Sequence, residues 1–110
     1  MGRAKKTSKA FVSYKRLIAI RDNYFHCVAS LRNFERLSDS DTLKSSMYEE
    51  YIRDVDRALV LLDPLDQKVI NQEFFYQTNP IWWVGMFSKS TYYRLRRRAV
   101  ETFLRNFYEQ

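Results

Sequence analysis

Apolar residues recur every three or four positions along most of the chain, a spacing that places them on one face of an α-helix. The first series covers residues 11–34 and predicts a long amphipathic helix, or two helices separated near Asp22-Asn23. A second series covers residues 43–62 and predicts another helix after the polar segment 38–41, whose Ser and Asp residues are favoured N-caps. The residues expected to face the core are Phe11, Tyr14, Leu17, Ile18, Phe25, Val28, Leu31 and Phe34 in the first series and Leu43, Met47, Tyr51, Val55, Ala58, Leu59 and Leu62 in the second.

Two prolines mark the starts of further helices. Asp63-Pro64 combines an N-cap residue with a proline suited to the first helical turn, and the apolar residues that follow predict a third helix as far as Phe75. Asn79-Pro80 repeats this signal and predicts a short helix over residues 80–87. The segment Ser88-Lys-Ser-Thr91 then predicts the start of a last helix. Because strand patterns are weak throughout, we expect an all-α protein.

The last helix, which we expect to reach about Phe107, has two chemically different faces. At about 100° per residue its apolar side chains point to one side and its basic and hydroxyl side chains to the other. The apolar face contains Tyr92, Leu95, Ala99, Phe103 and Phe107, and the polar face contains Ser90, Thr91, Arg94, Arg97, Arg98 and Arg105. Arg96 lies nearer the apolar face. A short helix, a tight turn and such a second helix form the layout that places a recognition helix in the DNA major groove.

Charge is segregated along the chain. The net charge is +7 over residues 1–21, −5 over residues 22–79 and +4 over residues 80–110, which gives +6 in total. Basic ends around an acidic middle favour a polyanionic partner such as nucleic acid. Residues 1–10 have little apolar surface to bury, so we expect them to form an auxiliary basic arm that clamps a polyanion. Its cations are Arg3, Lys5, Lys6 and Lys9.

The residues that most catalytic and metal sites require are scarce. A single Cys27 permits no intramolecular disulfide, and together with a single His26 it leaves too few ligands for a structural zinc site. Only Gly2 and Gly85 are glycines, so glycine-rich phosphate loops and nucleophile elbows are excluded. We therefore expect no enzymatic activity, no cofactor and no metal, and we expect His26 and Cys27 to be packed. Because no apolar stretch is long enough to span a bilayer, we expect a cytoplasmic protein without a membrane partner.

Part of the chain resembles the fourth, promoter-reading region of bacterial sigma factors. Residues 58–75, ALVLLDPLDQKVINQEFF, are similar to the opening of that region, and residues 88–100, SKSTYYRLRRRAV, are similar to its recognition helix. The resemblance covers about residues 48–107. It is greatest to compact relatives of the region, namely ArpU-type phage transcription regulators and a group of small mycoplasma proteins that share Trp-Trp followed by SKSTYYR.

The resemblance also implies positions for single residues. It places Ser88 at the helix cap, Thr91 at the start of the helix, and Tyr92 and Leu95 inward. The segment before the turn differs, because the family carries an Ile-Ala pair and then a Leu-Gly-Ile turn, whereas this chain has IWWVGMF over residues 81–87. Either the turn is two residues shorter or the glycine has moved. We expect the two tryptophans of this segment, Trp82 and Trp83, to belong to the core.

These observations together predict a single compact unit. Residues 1–40 are expected to form a basic N-terminal arm and a long helix or helix pair, packed on a sigma region 4-like helix-turn-helix domain over residues 41–110. Residues 1–40 match nothing in the sigma region, and the chain does not contain the promoter-melting and core-binding parts of a complete sigma factor.

The resemblance implies a non-enzymatic transcription regulator that binds double-stranded DNA, RNA polymerase or both. The expected DNA-binding residues are Lys89, Ser90, Thr91, Tyr93, Arg94, Arg97 and Arg98, of which Lys89, Ser90 and Tyr93 are expected to contact bases. Two alternatives stay open. One is a helical module that docks on RNA polymerase or another protein without reading bases, and the other is RNA or ribosome association through the basic ends.

Overall fold

The protein is all-α. The computed structural model describes residues 9–37 and 42–109, and within these ranges no residue forms a strand. Its elements are α1, Lys9–Leu37; α2, Thr42–Val60; α3, Pro64–Ile70, which continues into a π-helical turn, Asn71–Phe75; and α4, Lys89–Tyr108. The polar break expected at residues 38–41 lies outside the described residues.

Helix α1 is one continuous helix of 29 residues, so the alternative of two helices separated at Asp22-Asn23 is wrong. Its buried face also differs in part from the expected one. The side chains of Leu17, Ile20 and Cys27 are buried, with Tyr14 and Tyr24 packed beside the core, whereas Phe11, Ile18 and Phe25 are exposed. Because apolar residues surround much of this helix, its periodicity is weak and the neighbouring helices decide which face is buried. The side chain of Phe34 lies outside the description.

Helix α2 buries only its C-terminal half. Val55 and Ala58 belong to the core, as does Leu62, which follows the end of the helix. Leu43 and Met47 are exposed, so the prediction that these two residues face the core is wrong. The reason is the position of α4 along α2. The ring of Tyr51 contacts Phe107 in the last turn of α4, at 5.7 Å between centroids, so Leu43 and Met47 lie on the N-terminal side of this contact.

Helix α3 begins as the sequence predicts. Asp63 is its N-cap and accepts a hydrogen bond from the N–H of Asp66 at 2.9 Å, and Pro64 occupies the first turn. The helix then widens into the π-helical turn, which buries Phe74 and Phe75. The rings of Phe75 and Phe103 lie 6.4 Å apart, so this turn joins α3 to the core face of α4.

The short helix expected over residues 80–87 is not present. This segment is a series of turns, in which the N–H groups of Trp82, Val84 and Met86 each donate to the carbonyl group three residues earlier. Gly85 has a φ of 92°, a backbone conformation that does not occur in a right-handed helix. The π-helical turn after α3 and helix α4 are therefore joined by a loop of consecutive turns, and not by a short helix.

Candidate nucleic-acid interface

Helix α4 begins with a local capping arrangement. Ser88 has an extended backbone, and its Oγ accepts a hydrogen bond from the N–H of Thr91 at 3.2 Å. The Ser88 hydroxyl also lies 3.0 Å from the Thr91 hydroxyl. This cap satisfies one of the free N–H groups at the helix start and fixes the direction in which α4 leaves the loop.

The exposed face of α4 brings together most of the residues expected to bind DNA. Lys89, Ser90, Tyr93, Arg94 and Arg97 are exposed, while Thr91 is partly covered by its role in the cap. Arg94 Nη2 is 3.5 Å from Thr91 Oγ1, and Arg97 Nε is 3.7 Å from a carboxylate oxygen of Glu101. Exposed pairs of this kind contribute little to stability, so both guanidinium groups can exchange these contacts for phosphates.

Arg98, which was also expected to bind DNA, makes an ion pair within the fold. Its Nη2 donates to Asp66 Oδ1 at 2.7 Å, and the Asp66 side chain is buried. The hydrogen bond with Asp66 raises the pKa of Arg98 above its ordinary value. Because this pair joins α3 to α4, Arg98 is primarily a contact within the fold, with about half of its side chain still exposed.

The opposite face of α4 fixes the helix to the molecule. Tyr92, Ala99, Val100, Phe103 and Leu104 are buried, and Leu95 is partly buried. The inward positions expected for Tyr92, Ala99 and Phe103 are therefore confirmed. Because the buried residues extend from Tyr92 to Leu104, the helix presents its basic face in a fixed orientation.

Arg96 is held between aromatic rings on the boundary of the two faces. Its guanidinium carbon lies 4.7 Å from the ring centroid of Tyr14, 5.6 Å from that of Tyr92 and 5.1 Å from that of Tyr93. Arg96 Nη1 also donates to Glu73 Oε1 at 3.4 Å. Burial alone lowers the pKa of Arg96, but hydrogen bonds and electrostatic attraction from Tyr14 and Tyr92 outweigh it and raise the pKa.

Glu73 connects this arginine to the loop before α4. Its Oε2 accepts a hydrogen bond from Trp82 Nε1 at 2.9 Å, while Oε1 faces Arg96. Trp83 stacks on Tyr92 with 4.3 Å between centroids and 13° between ring planes. Both indoles are partly buried and Trp82 packs against the core. The role of Glu73 was not predicted from the sequence, although an arginine on the apolar side of α4 was a signal that a carboxylate partner was needed.

Helix α1 begins at the same end of the molecule as α4. Tyr14 of α1 contacts Arg96, and ten residues later Tyr24 contacts Phe75, whose ring in turn contacts Phe103. Helices α1 and α4 therefore run in the same direction, with their N-termini towards one end. Lys9, the first residue of α1, is exposed. The other cations expected in the arm, Arg3, Lys5 and Lys6, lie outside the described residues.

The structure gives no second candidate site in the described residues. Cys27 is buried, and burial raises the pKa of its thiol. His26, which we expected to be packed, is exposed, with its ring 5.9 Å from that of Tyr48. Within residues 9–37 and 42–109, no group of three or more His, Cys, Asp or Glu residues is placed to hold a metal ion. No helix of this part of the chain is long and apolar enough to cross a membrane.

Comparison with known proteins identified no relative of this chain. No family model matches this chain, and no curated protein or solved structure is significantly similar to it.

Proposed function

We propose that this protein is a non-enzymatic, DNA-binding transcription regulator that contacts duplex DNA with the exposed face of α4. The observation that carries the proposal is the composition of this face. Lys89, Ser90, Tyr93, Arg94 and Arg97 are exposed on a helix whose other side is fixed in the core. The resemblance of residues 88–100 to a sigma-factor recognition helix supports the same assignment.

The charge around α4 favours a polyanion. No acidic residue occurs between Glu73 and Glu101, and this stretch contains five basic residues. Two of them, Arg96 and Arg98, are neutralised by Glu73 and Asp66. The remaining cations, Lys89, Arg94 and Arg97, are exposed along the N-terminal half of α4, which is where a recognition helix meets the DNA.

The same face has separate groups for phosphates and for bases. Arg94 and Arg97 are long cations suited to phosphate oxygens. Ser90 and Tyr93 lie closer to the helix start and can donate or accept hydrogen bonds at base edges, with the Tyr93 ring able to contact a thymine methyl group. Regulation through RNA polymerase is part of the proposal, because the sigma region that the chain resembles acts together with that enzyme.

The test is the double variant Arg94→Ala/Arg97→Ala. We expect it to bind duplex DNA more weakly and to flatten the plot of log affinity against log salt by about two units, because each phosphate contact contributes about 0.9. Both side chains are exposed, so the free energy of unfolding should change by no more than about 0.5 kcal/mol per substitution. Affinity is measured by fluorescence anisotropy over a salt series, and stability by thermal melting.

The matched control is Arg32→Ala/Arg53→Ala, which removes two exposed arginines from α1 and α2. It has the same change in net charge and should lower DNA affinity much less. If the two double variants lose equal affinity, the attraction depends only on net charge and α4 is not a recognition helix. If neither loses affinity, docking on RNA polymerase or another protein without base reading becomes the better explanation.

A further inference from the structure

The loop between the π-helical turn and α4 turns its indoles inward and its aliphatic side chains outward. The Trp82 indole is held by Glu73, and the Trp83 ring is stacked on Tyr92. The outward side chains are Ile81, Val84 and Met86, whose exposed fractions are 61%, 56% and 52%. We refer to these three residues as the aliphatic tip.

The aliphatic tip is fixed in place and not part of a loose loop. The N–H groups of Val84 and Met86 donate to the carbonyl groups of Ile81 and Trp83 at 3.0 Å, and the N–H of Phe87 also donates to Trp83. Gly85, with its φ of 92°, changes the chain direction between Val84 and Met86. A preorganised apolar group binds a partner without the entropic cost of ordering its own loop, so it is suited to insertion into a partner's surface.

The chain on both sides of the aliphatic tip has a positive net charge. Residues 74–100 contain no Asp or Glu. Lys68 places its ammonium group 5.8 Å from the Trp82 ring, and Lys89 follows Met86 by three residues. A partner for this surface has to offer apolar contact at the tip and negative charge around it. Stacked bases between two rows of phosphates meet both requirements.

The aliphatic tip is also continuous with the face of α4 that we propose to contact DNA. One residue, Phe87, separates Met86 from Ser88, the N-cap of α4. A duplex that is seated on the N-terminal half of α4 therefore lies beside the tip. From this juxtaposition we infer that the aliphatic tip is an apolar wedge that packs against a base step of the duplex bound by α4 and bends it. The inference depends on the proposed function.

Apolar wedges of this kind are used by many proteins that bend DNA. Aliphatic side chains, methionine and isoleucine among them, insert between base pairs, partly unstack them and kink the duplex, and the bend brings more DNA into contact with the protein. In this protein the contact would extend the DNA interface from α4 to Val84 and Met86. It predicts bending of the duplex, which phosphate contacts from Arg94 and Arg97 alone do not require.

The test compares Val84→Ser/Met86→Ser with a matched control, Leu43→Ser/Met47→Ser. The control residues are also aliphatic and are more exposed, at 73% and 59%. They lie near the C-terminal end of α4, about 30 Å from its start for a helix of 20 residues. The probe is a random-sequence duplex of about 30 base pairs with a donor and an acceptor dye at its two ends. Anisotropy gives affinity, energy transfer gives bending, and thermal melting checks that each variant is folded.

We expect wild type and the Leu43/Met47 control to bind the duplex and to increase energy transfer. The tip variant should bind about tenfold more weakly, as expected from the loss of two partly buried aliphatic side chains, and should not increase energy transfer. Met86→Gln, which keeps the length of the side chain and disturbs the loop least, should give an intermediate result in both measurements.

Three outcomes would overturn the inference, and they differ in what they leave standing. If the tip variant bends and binds the duplex like wild type, there is no wedge, but the proposed function of α4 stands. If wild type itself does not bind the duplex, both fail. If wild type self-associates in analytical ultracentrifugation and the tip variant is monomeric, with no effect on DNA, the tip contacts a second copy of the chain.

Discussion

At the scale of single residues, Glu73 joins separate parts of the fold through its side chain. Its carboxylate accepts from the Trp82 indole and faces the Arg96 guanidinium, so it connects the π-helical turn, the loop and α4. Arg96 in turn lies against Tyr14 of α1. Glu73 is mostly shielded from water, so Arg96 depends on it for neutralisation and the Trp82 N–H for a hydrogen bond.

Replacing Glu73 with alanine should therefore lower the free energy of unfolding by about 2–3 kcal/mol, because the partly buried Arg96 charge loses its carboxylate partner and the Trp82 N–H loses its acceptor. Glu73→Gln keeps one acceptor oxygen and should cost less. Chemical denaturation with tryptophan fluorescence measures both. Asp54→Ala, which breaks the exposed pair with Arg57, is the control and should change stability by less than about 1 kcal/mol. A loss for Glu73→Ala as small as that of the control would show that the network contributes no more than a surface ion pair.

At the scale of elements, the loop before α4 differs most from the expectation. The signal Asn79-Pro80 is real, and the Asn79 side chain accepts a hydrogen bond from the N–H of Ile81 at 3.2 Å. No helix follows, because Gly85 takes a left-handed conformation and both indoles have partners outside the segment. Tertiary contacts of two large aromatic rings outweigh the small free energy that about two helical turns could contribute.

Gly85→Ala tests the conformation of this loop. A Cβ atom at Gly85 would meet no atom within 4 Å, so steric conflict with neighbours is absent and only the backbone conformation opposes the change. We expect a loss of about 1–2 kcal/mol in the free energy of unfolding. Gly85→Asn should lose less, because asparagine tolerates left-handed conformations better. Thermal melting measures both, and an alanine variant as stable as wild type would show that the loop can change its turn at no cost.

At the scale of the whole molecule, the parallel course of α1 and α4 determines which groups meet at one end. Lys9, Ser88 and the aliphatic tip all lie towards the N-terminal ends of these two helices. Lys9, at the start of α1, therefore lies at the end of the molecule at which the proposed interface begins, and the other cations expected in the arm precede it in sequence. This placement is favourable for an arm that adds phosphate contacts beside α4.

Deleting residues 1–8 removes Arg3, Lys5 and Lys6 and leaves every described helix complete. We expect the plot of log affinity against log salt to flatten by about two to three units, with the melting temperature and any sequence preference unchanged. The full-length variant Arg3→Gln/Lys5→Gln/Lys6→Gln should flatten it equally, which separates charge from chain length. An unchanged salt slope would exclude contact between the arm and nucleic acid, and a lower melting temperature would assign the arm a structural role.

The sequence alone determined those features that depend on residues close together along the chain. The all-α class, the caps at Asp63 and Ser88 and the two faces of α4 were predicted correctly, because a cap joins residues three positions apart and the faces of a helix follow from its own period. The exposed positions of Ser90, Arg94 and Arg97 follow from the same period.

The tertiary structure decided what depends on residues far apart in sequence. Arg98 and Asp66 are 32 positions apart and Arg96 and Glu73 are 23 apart, so no local pattern identifies these two carboxylates as the partners of the two arginines. The buried face of α1, the exposure of Leu43 and Met47 and the turns over residues 80–87 have the same origin. In each case more than one local arrangement satisfied the sequence, and the free energy of packing against another element selected one of them.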